Sequence, residues 1–341
     1  MKKYLNMQMA AALLALTLFP GASAIAQEKI VVYTVLPIAE MNRRISDEFT
    51  KRTGVKVEYL NVPAVGTLAA RIRSEKDRPR ADIFAAAPID FQEALAKDGL
   101  LVSYKSPNLY PDAVAKGYVD PKGYWTGWIA TATAIFWNTT QFNKEFGDKV
   151  AHPKTWDDLL KPEFKGKLVA ANPQTSAIGF IQLATQVFRL GEDKAWEYTK
   201  TFSANVAQFT PSAPIVVALV EKGEAPAGVY WLGDILTAKL NRGQPLDYAI
   251  PPDNAVAIWS ASIVKGGPNP EGAKKFIDFL TSEYAQDIAA KVGFFHPLNP
   301  KVAPPVGAPS IADMKVAKYD MEWATANMDR VRKKWGEVSG Q

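Results

Sequence analysis

The sequence contains no cysteine and two histidines, and this scarcity excludes several kinds of chemistry. Without cysteine the chain has no disulfides, no thiolate metal sites, no cysteine nucleophile and no lipid attached through a cysteine. The histidines, His152 and His296, are far apart, each lies beside a proline, and they lack the spacing of metal ligands. The sequence therefore predicts neither a metal site nor a cofactor.

The motifs of common enzyme classes are also missing. The chain has no G-x-S-x-G nucleophile elbow, no G-x-x-x-x-G-K-[ST] phosphate loop and no G-x-G-x-x-G dinucleotide fingerprint. Because no pair of a nucleophile and a base stands out, we expect a protein that is not an enzyme. An exported hydrolase is the alternative from a different class.

Charge of one sign is not concentrated anywhere in the chain. Forty Lys and Arg face 35 Asp and Glu, and the two signs are interspersed. The densest basic stretch, 330–334, is interpreted as the solvated face of a C-terminal helix. The sequence therefore predicts no nucleic-acid partner.

Long apolar runs are absent except at the N-terminus, where residues 1–26 have the pattern of an export signal. Two lysines precede an apolar run of about 11 residues, too short to cross a bilayer of ~30 Å as a helix. Small residues follow and end at Ala26, so cleavage would leave Gln27 first. A cut after Ala24 and an uncleaved membrane anchor are the alternatives. The segment predicts that the protein works in the periplasm.

Strands and helices alternate along the rest of the chain, which predicts α/β architecture with mostly parallel sheets flanked by helices. The length suggests two lobes. We expect lobe 1 to comprise 27–130 plus 256–300, lobe 2 to comprise 131–255, and 301–341 to form a helical segment packing on the lobes. Within these regions, helices are predicted over 271–292 and 311–335, and an extended stretch over 255–264 whose tail returns to the first sheet.

The strongest local site is the segment 172–179, between a predicted strand and a helix. Thr175 and Ser176 can cap this helix and leave backbone N–H groups that attract an anion. The segment 210–214 repeats the arrangement, with Ser212 as the cap. An ordinary N-cap without a ligand is the competing interpretation.

A second candidate segment, Tyr230-Trp231-Leu-Gly-Asp234, ends a predicted strand. The two aromatic side chains could cover a ligand, and Asp234 could accept a hydrogen bond from an amine. The alternative is that Asp234 caps the next helix.

Five stretches of the sequence resemble one protein family in their order along the chain. They are GTLAARIRSEKDRPRADIFAAAP (66–88), LAKDGLLVSYKSPN (95–108), DPKGYWTGW (120–128), TWDDLLKPEFKGKLVAANPQTSAIGF (155–180) and KGGPNPEGAKKFIDFLTSEYAQ (265–286). The chain thereby resembles the periplasmic solute-binding proteins of ABC transporters, in the branch of ferric-iron, phosphonate and sugar-phosphate binders.

The resemblance implies a type 2 periplasmic binding fold, with two lobes joined by crossing strands and a ligand between them. It also implies closure of the lobes on binding, delivery to an inner-membrane ABC permease, and a monomer. The loops after the strands and the two candidate segments together predict the ligand-binding residues. These are Thr34, Gly66, Thr67, Pro88, Thr131, Thr175, Ser176, Ala177, Ser212, Tyr230, Trp231 and Asp234.

The expected ligand is a small organic anion such as a phosphonate, a phosphate ester or a carboxylate. Ferric iron is the alternative within the same class. The ferric members of the family bind iron through adjacent tyrosines, whereas this chain has Tyr230 followed by Trp231, which leaves one phenolate. A polyamine is a further alternative, although a cation would favour several carboxylates in the cleft.

Overall fold

The computed structural model describes residues 28–36, 38–62 and 64–341. The predicted export signal lies outside the described residues, as do Pro37 and Pro63, which belong to the loops predicted over 34–37 and 63–67 after the first two strands. Among the described residues, no helix combines the length and the apolar character needed to cross a membrane.

The described part of the chain forms eleven strands. They are β1 (Lys29–Thr34), β2 (Lys56–Asn61), β3 (Ile83–Pro88), β4 (Leu101–Val102), β5 (Thr126–Asn138), β6 (Leu168–Ala171), β7 (Val206–Thr210), β8 (Ala227–Trp231), β9 (Leu246–Ala249), β10 (Val256–Val264) and β11 (His296–Pro297).

Eleven α-helices of the described residues surround these strands. They are α1 (Ala39–Thr53), α2 (Val65–Ser74), α3 (Ile89–Lys97), α4 (Thr139–Phe146), α5 (Ala177–Leu190), α6 (Glu192–Asn205), α7 (Pro214–Glu221), α8 (Leu232–Leu236), α9 (Pro270–Leu280), α10 (Glu283–Gly293) and α11 (Met321–Ser339).

The strands form two mostly parallel groups that share two long antiparallel strands. In the first half of the molecule β2, β1 and β3 run parallel, and β10 pairs antiparallel with β3. In the second half β7, β6 and β8 run parallel, and β5 pairs antiparallel with β8. Strands β5 and β10 also pair with each other, which joins the halves. The predicted α/β fold with mostly parallel sheets is confirmed.

Each half has its own apolar core. The sequence predicts a helix at about 38–53 with Ile38, Met41, Ile45 and Phe49 as its apolar stripe. In the structure α1 presents the last three to the first sheet, whereas Ile38 is its N-cap, and Phe49 meets Phe276 of α9 edge-on at 5.1 Å between ring centroids. In the second half, apolar residues of β5, β6 and β8 pack against helices on both faces. The separate cores define two units on either side of the shared strands.

The C-terminal segment connects both halves. It leaves β11, which pairs with β5, and then passes Asn254, whose backbone exchanges hydrogen bonds of 3.1 and 2.9 Å with Lys315 and Ala317. Helix α11 then packs on α5 through Val331 and Trp335, both buried against Phe180 and its neighbours. The helix is therefore attached to the second half.

Two predicted helices differ in the structure. The predicted helix 271–292 is divided into α9 and α10 because Ser282 caps a new helix, accepting the N–H of Ala285 at 3.3 Å. The predicted helix 311–335 begins ten residues later, where Asp320 accepts the N–H of Trp323 at 2.8 Å, and it extends to Ser339. In both cases a side-chain cap sets the boundary.

Helix α6 was missed from the sequence, although its pattern carries a signal. Ala195, Tyr198, Thr199 and Phe202 are buried and recur at helical spacing. The stripe is narrow, and the charged residues between its members make the apolar pattern weak.

The buried His296 makes stability depend on pH. Its Nε2–H donates to the carbonyl of Pro309 at 3.2 Å, Nδ1 has no partner, and burial lowers its pKa to about 4 from 6.5. Between these pH values the unfolded chain binds a proton at this position and the folded chain does not. Stability is therefore expected to fall as the pH drops from 6.5 to 4, by up to about 3 kcal/mol from this group.

Urea unfolding of the wild type and of His296→Gln at pH 7.5 and pH 4.5 checks this expectation. The variant keeps an N–H donor but has no titrating group, so it should lose less stability on acidification than the wild type. Equal losses in both proteins would contradict the assignment.

Candidate functional site

A cavity of about 510 Å³ lies between the two halves. The starts of four helices line it, α2 and α3 from the first half and α5 and α7 from the second, together with the beginning of β10 and one face of α11. These four helices follow the carboxyl ends of parallel strands, where open α/β sheets bind ligands. Because the first-turn N–H groups of a helix are not used within it, four positive helix ends meet at this cavity.

Local packing fixes the start of α5. Ser176 caps the helix, with its Oγ 3.5 Å from the amide nitrogen of Gly179. A Cβ on Gly179 would lie 2.5 Å from the carbonyl oxygen of Ala171, so glycine permits the close approach of the helix to the preceding strand. The predicted cap at Ser176 is confirmed.

Thr175 has a different role from the one predicted. Its hydroxyl donates to the carbonyl of Pro211 at 2.9 Å rather than capping α5. This bond ties the loop before α5 to the loop before α7. The two helix starts of the second half are thus held together by a side chain.

The predicted cap at Ser212 is wrong. Helix α7 begins with Pro214, its N-cap is Ala213, and no side-chain cap bond forms there. The backbone carbonyl of Ser212, not its hydroxyl, accepts the N–H of Ile215 at 3.2 Å. The Ser212 side chain is left for the cavity that this residue lines.

Helix α11 brings a cation to the cavity, which the sequence analysis missed. Arg332 is half-buried, lines the cavity and lies over the ring of Phe180 at 5.3 Å, and its Nε donates to the carbonyl of Pro173 at 3.0 Å. The interpretation of 330–334 as one solvated face is therefore wrong for Arg332, whereas Arg330 is exposed and pairs with Glu192. The sequence contains a signal for this packing, because the apolar residues Val331 and Trp335 are four positions apart and therefore lie on one side of the helix, next to Arg332.

Asp90 and Tyr319 also line the cavity and were not predicted. Asp90 lies in the first turn of α3, where it accepts backbone N–H groups, and burial raises the pKa of its carboxyl. Burial, and then the charge of Asp90, raise the pKa of the Tyr319 phenol. The cavity thus contains one side chain of each charge.

Half of the predicted ligand-binding residues line this cavity and half do not. The first group is Gly66, Pro88, Thr175, Ser176, Ala177 and Ser212. The second group, which does not line the cavity, is Thr34, Thr67, Thr131, Tyr230, Trp231 and Asp234. Thr131 is close, because it pairs across the sheet with the lining residue Ala257, and its buried hydroxyl has no partner among the described residues.

The segment with Tyr230 is poorly suited to bind a metal ion. Burial, and then the charge of Asp234, raise the pKa of Tyr230, which keeps the phenol protonated. Loss of hydration raises the pKa of the Asp234 carboxyl to about 6, although the residue is partly accessible to solvent. Within the described residues, no group of three or more His, Asp and Glu side chains is placed to hold a metal ion.

The two histidines lie outside the cavity lining. His152 stacks on Trp137 at 4.7 Å between ring centroids. His296 is engaged by the Pro309 carbonyl. Neither is placed to act on a molecule in the cavity.

Comparison with known proteins identifies the family. Residues 78–321 match the model of the bacterial extracellular solute-binding protein family. A putative 2-aminoethylphosphonate-binding periplasmic protein of Salmonella typhimurium is 27% identical over 267 residues, covering 76% of this chain and 74% of the relative. The spermidine/putrescine-binding periplasmic protein of Escherichia coli is 28% identical over 295 residues, covering 81% and 79%.

Solved structures share the architecture. The periplasmic binding protein AfuA from Actinobacillus pleuropneumoniae, with fructose-6-phosphate bound, superposes with a TM-score of 0.77 at 26% identity, over 92% of this chain and 99% of AfuA. Iron-bound HitA from Pseudomonas aeruginosa gives 0.75 at 20% identity, over 91% and 99%, a likeness of fold alone. The predicted two-lobed periplasmic binding fold is confirmed. This chain belongs to the bacterial extracellular solute-binding proteins and is a periplasmic solute-binding component of an ABC import system.

Proposed function

We propose that this protein captures a small organic anion, a phosphonate, phosphate ester or carboxylate, in the cavity between its halves and delivers it to an inner-membrane permease. The observation that carries the proposal is the convergence of four helix starts and the Arg332 guanidinium on one cavity. Backbone N–H groups and a guanidinium both favour negative charge. The mechanism is binding and release, without a chemical step.

The relatives support this class without naming one molecule. The ligands named for two of these proteins, 2-aminoethylphosphonate and fructose 6-phosphate, both carry an anionic phosphorus group. The ligands named for the third, spermidine and putrescine, do not. A polyamine would meet Arg332 in this cavity, where like charges repel. Ferric iron is the second candidate, but it would lack the second tyrosine beside Tyr230.

The proposal also includes the division into lobes, the oligomeric state and the residues that contact the ligand. Lobe 1 would comprise 27–130 plus 256–300 and lobe 2 131–255, with 301–341 packed on them. The protein would act as a monomer, would not bind nucleic acid and would not be an enzyme. The ligand would touch the predicted residues that line the cavity.

A panel of defined probes tests the ligand class. We expect 2-aminoethylphosphonate or fructose 6-phosphate to raise the melting temperature of the purified protein, because a ligand that binds only the folded state stabilises it. Spermidine and ferric citrate should leave it unchanged. Stabilisation by spermidine alone, or a visible iron–phenolate band lost in Tyr230→Phe, would contradict the proposal.

Removal of the Ser176 hydroxyl tests the helix terminus. Hydrogen bonds to charged groups contribute roughly 1.5–3 kcal/mol, so Ser176→Ala should weaken binding of the probe that binds the wild type by about tenfold or more. Without ligand it should lose about 1 kcal/mol of stability, the usual contribution of a cap.

Ser282→Ala is the matched control for this measurement. Ser282 caps α10 in the same way but does not line the cavity. It should cost similar stability and leave affinity intact. Equal affinity of both variants in titration calorimetry would make Ser176 a cap without contact to the ligand.

Closure of the halves is expected because the lining residues are divided between them. Gly66 and Pro88 belong to the first half, and Ser176 and Ser212 to the second. A ligand touching both sets stabilises the closed form by its differential affinity for it. Small-angle scattering with saturating probe should show a smaller radius of gyration, and the emission of Trp259, next to the lining residue Ile258, should change. Unchanged radius and emission would indicate a rigid site.

A further inference from the structure

Arg332 has the properties of an anion receptor that is held ready in the absence of ligand. Its Nε is fixed on the Pro173 carbonyl at 3.0 Å and its guanidinium lies over Phe180. Among the described residues, no carboxylate forms an ion pair with it, and no hydrogen bond of its terminal nitrogens is formed. Because the planar fork offers parallel donors, it suits a carboxylate or phosphonate bound through two oxygens.

Asp90 opposes Arg332 from the other half of the molecule. It lines the same cavity at the start of α3, in the first half, whereas Arg332 belongs to α11 on the second half. The two groups make no ion pair. Burial raises the pKa of the Asp90 carboxyl and lowers the pKa of the Arg332 guanidinium; the charge of Arg332 partly offsets the first effect, and the charges of Asp329 and then Asp90 partly offset the second. Both line a cavity of about 510 Å³, which is large enough to admit a small molecule.

The two charges impose a pattern on the ligand. An anion that reached only Arg332 would also face the Asp90 carboxylate, and like charges repel. A ligand with an ammonium group at its other end would instead satisfy both side chains. It would also link the halves, since one charge belongs to each of them.

We propose that the ligand is a short zwitterion held across the cavity, with its anionic group on Arg332 and its ammonium group on Asp90. This inference rests on the proposed function and narrows its ligand class. Arg332 and Asp90 are then the residues that determine specificity, and α11 is part of the binding site.

Two matched probes separate this inference from the proposed function. They are 2-aminoethylphosphonate and ethylphosphonate, which differ in the ammonium group. Titration calorimetry on the full mature protein should show at least tenfold tighter binding of the aminated probe. In Asp90→Asn this preference should disappear, because aminated binding weakens and ethylphosphonate, relieved of repulsion, binds more tightly. In Arg332→Gln both probes should bind at least tenfold more weakly.

Arg330→Gln is the control on the same helix. Arg330 pairs with Glu192 outside the cavity lining, so this variant should keep the preference of the wild type. Melting temperatures without ligand verify that each variant is folded.

Each other outcome overturns the inference in a recognisable way. If the wild type and Asp90→Asn both bound the two probes equally, Asp90 would not bind the ammonium group, and only the proposed anion binding would remain supported. Binding of neither probe would overturn the zwitterion. If fructose 6-phosphate and carboxylates also failed to bind, the proposed capture of a small organic anion would be contradicted as well.

Discussion

The pairing of β5 with β10 is the constraint on which the rest of the structure depends. Their register, from Val256 opposite Ala132 to Ala261 opposite Thr126, joins two halves with separate cores. The halves are joined by these strands and by the C-terminal segment, and a cavity remains between them. Helices α2, α3, α5 and α7, which follow the carboxyl ends of parallel strands, direct their N-termini toward this cavity.

The convergence of helix ends also accounts for the mixed polarity of the site. The N-terminal turns provide positive potential without charged side chains, and α11 adds Arg332. The start of α3 differs from the other helix starts, because the carboxylate of Asp90 accepts backbone N–H groups there. A site of this composition distinguishes ligands by where their charges lie, and not only by their net charge.

Much of the architecture could be predicted from sequence because local patterns determine it. The stripe of Met41, Ile45 and Phe49 and the cap at Ser176 are properties of neighbouring residues, and the structure confirms them. Ser212 failed as a cap because Pro214 allows the helix to start after Ala213 instead. The role of Arg332 depends on which face of α11 meets α5. The hydrogen bond from Arg332 to Pro173 beside that contact spans 159 residues of sequence, and the local pattern does not contain it.

Native mass spectrometry of the protein purified from its own host tests the central claim most directly, because a retained solute is weighed with the protein. The account predicts one small organic molecule per chain, which after release carries an anionic group. Retention of a single iron ion, or of a polyamine without an anionic group, would contradict it.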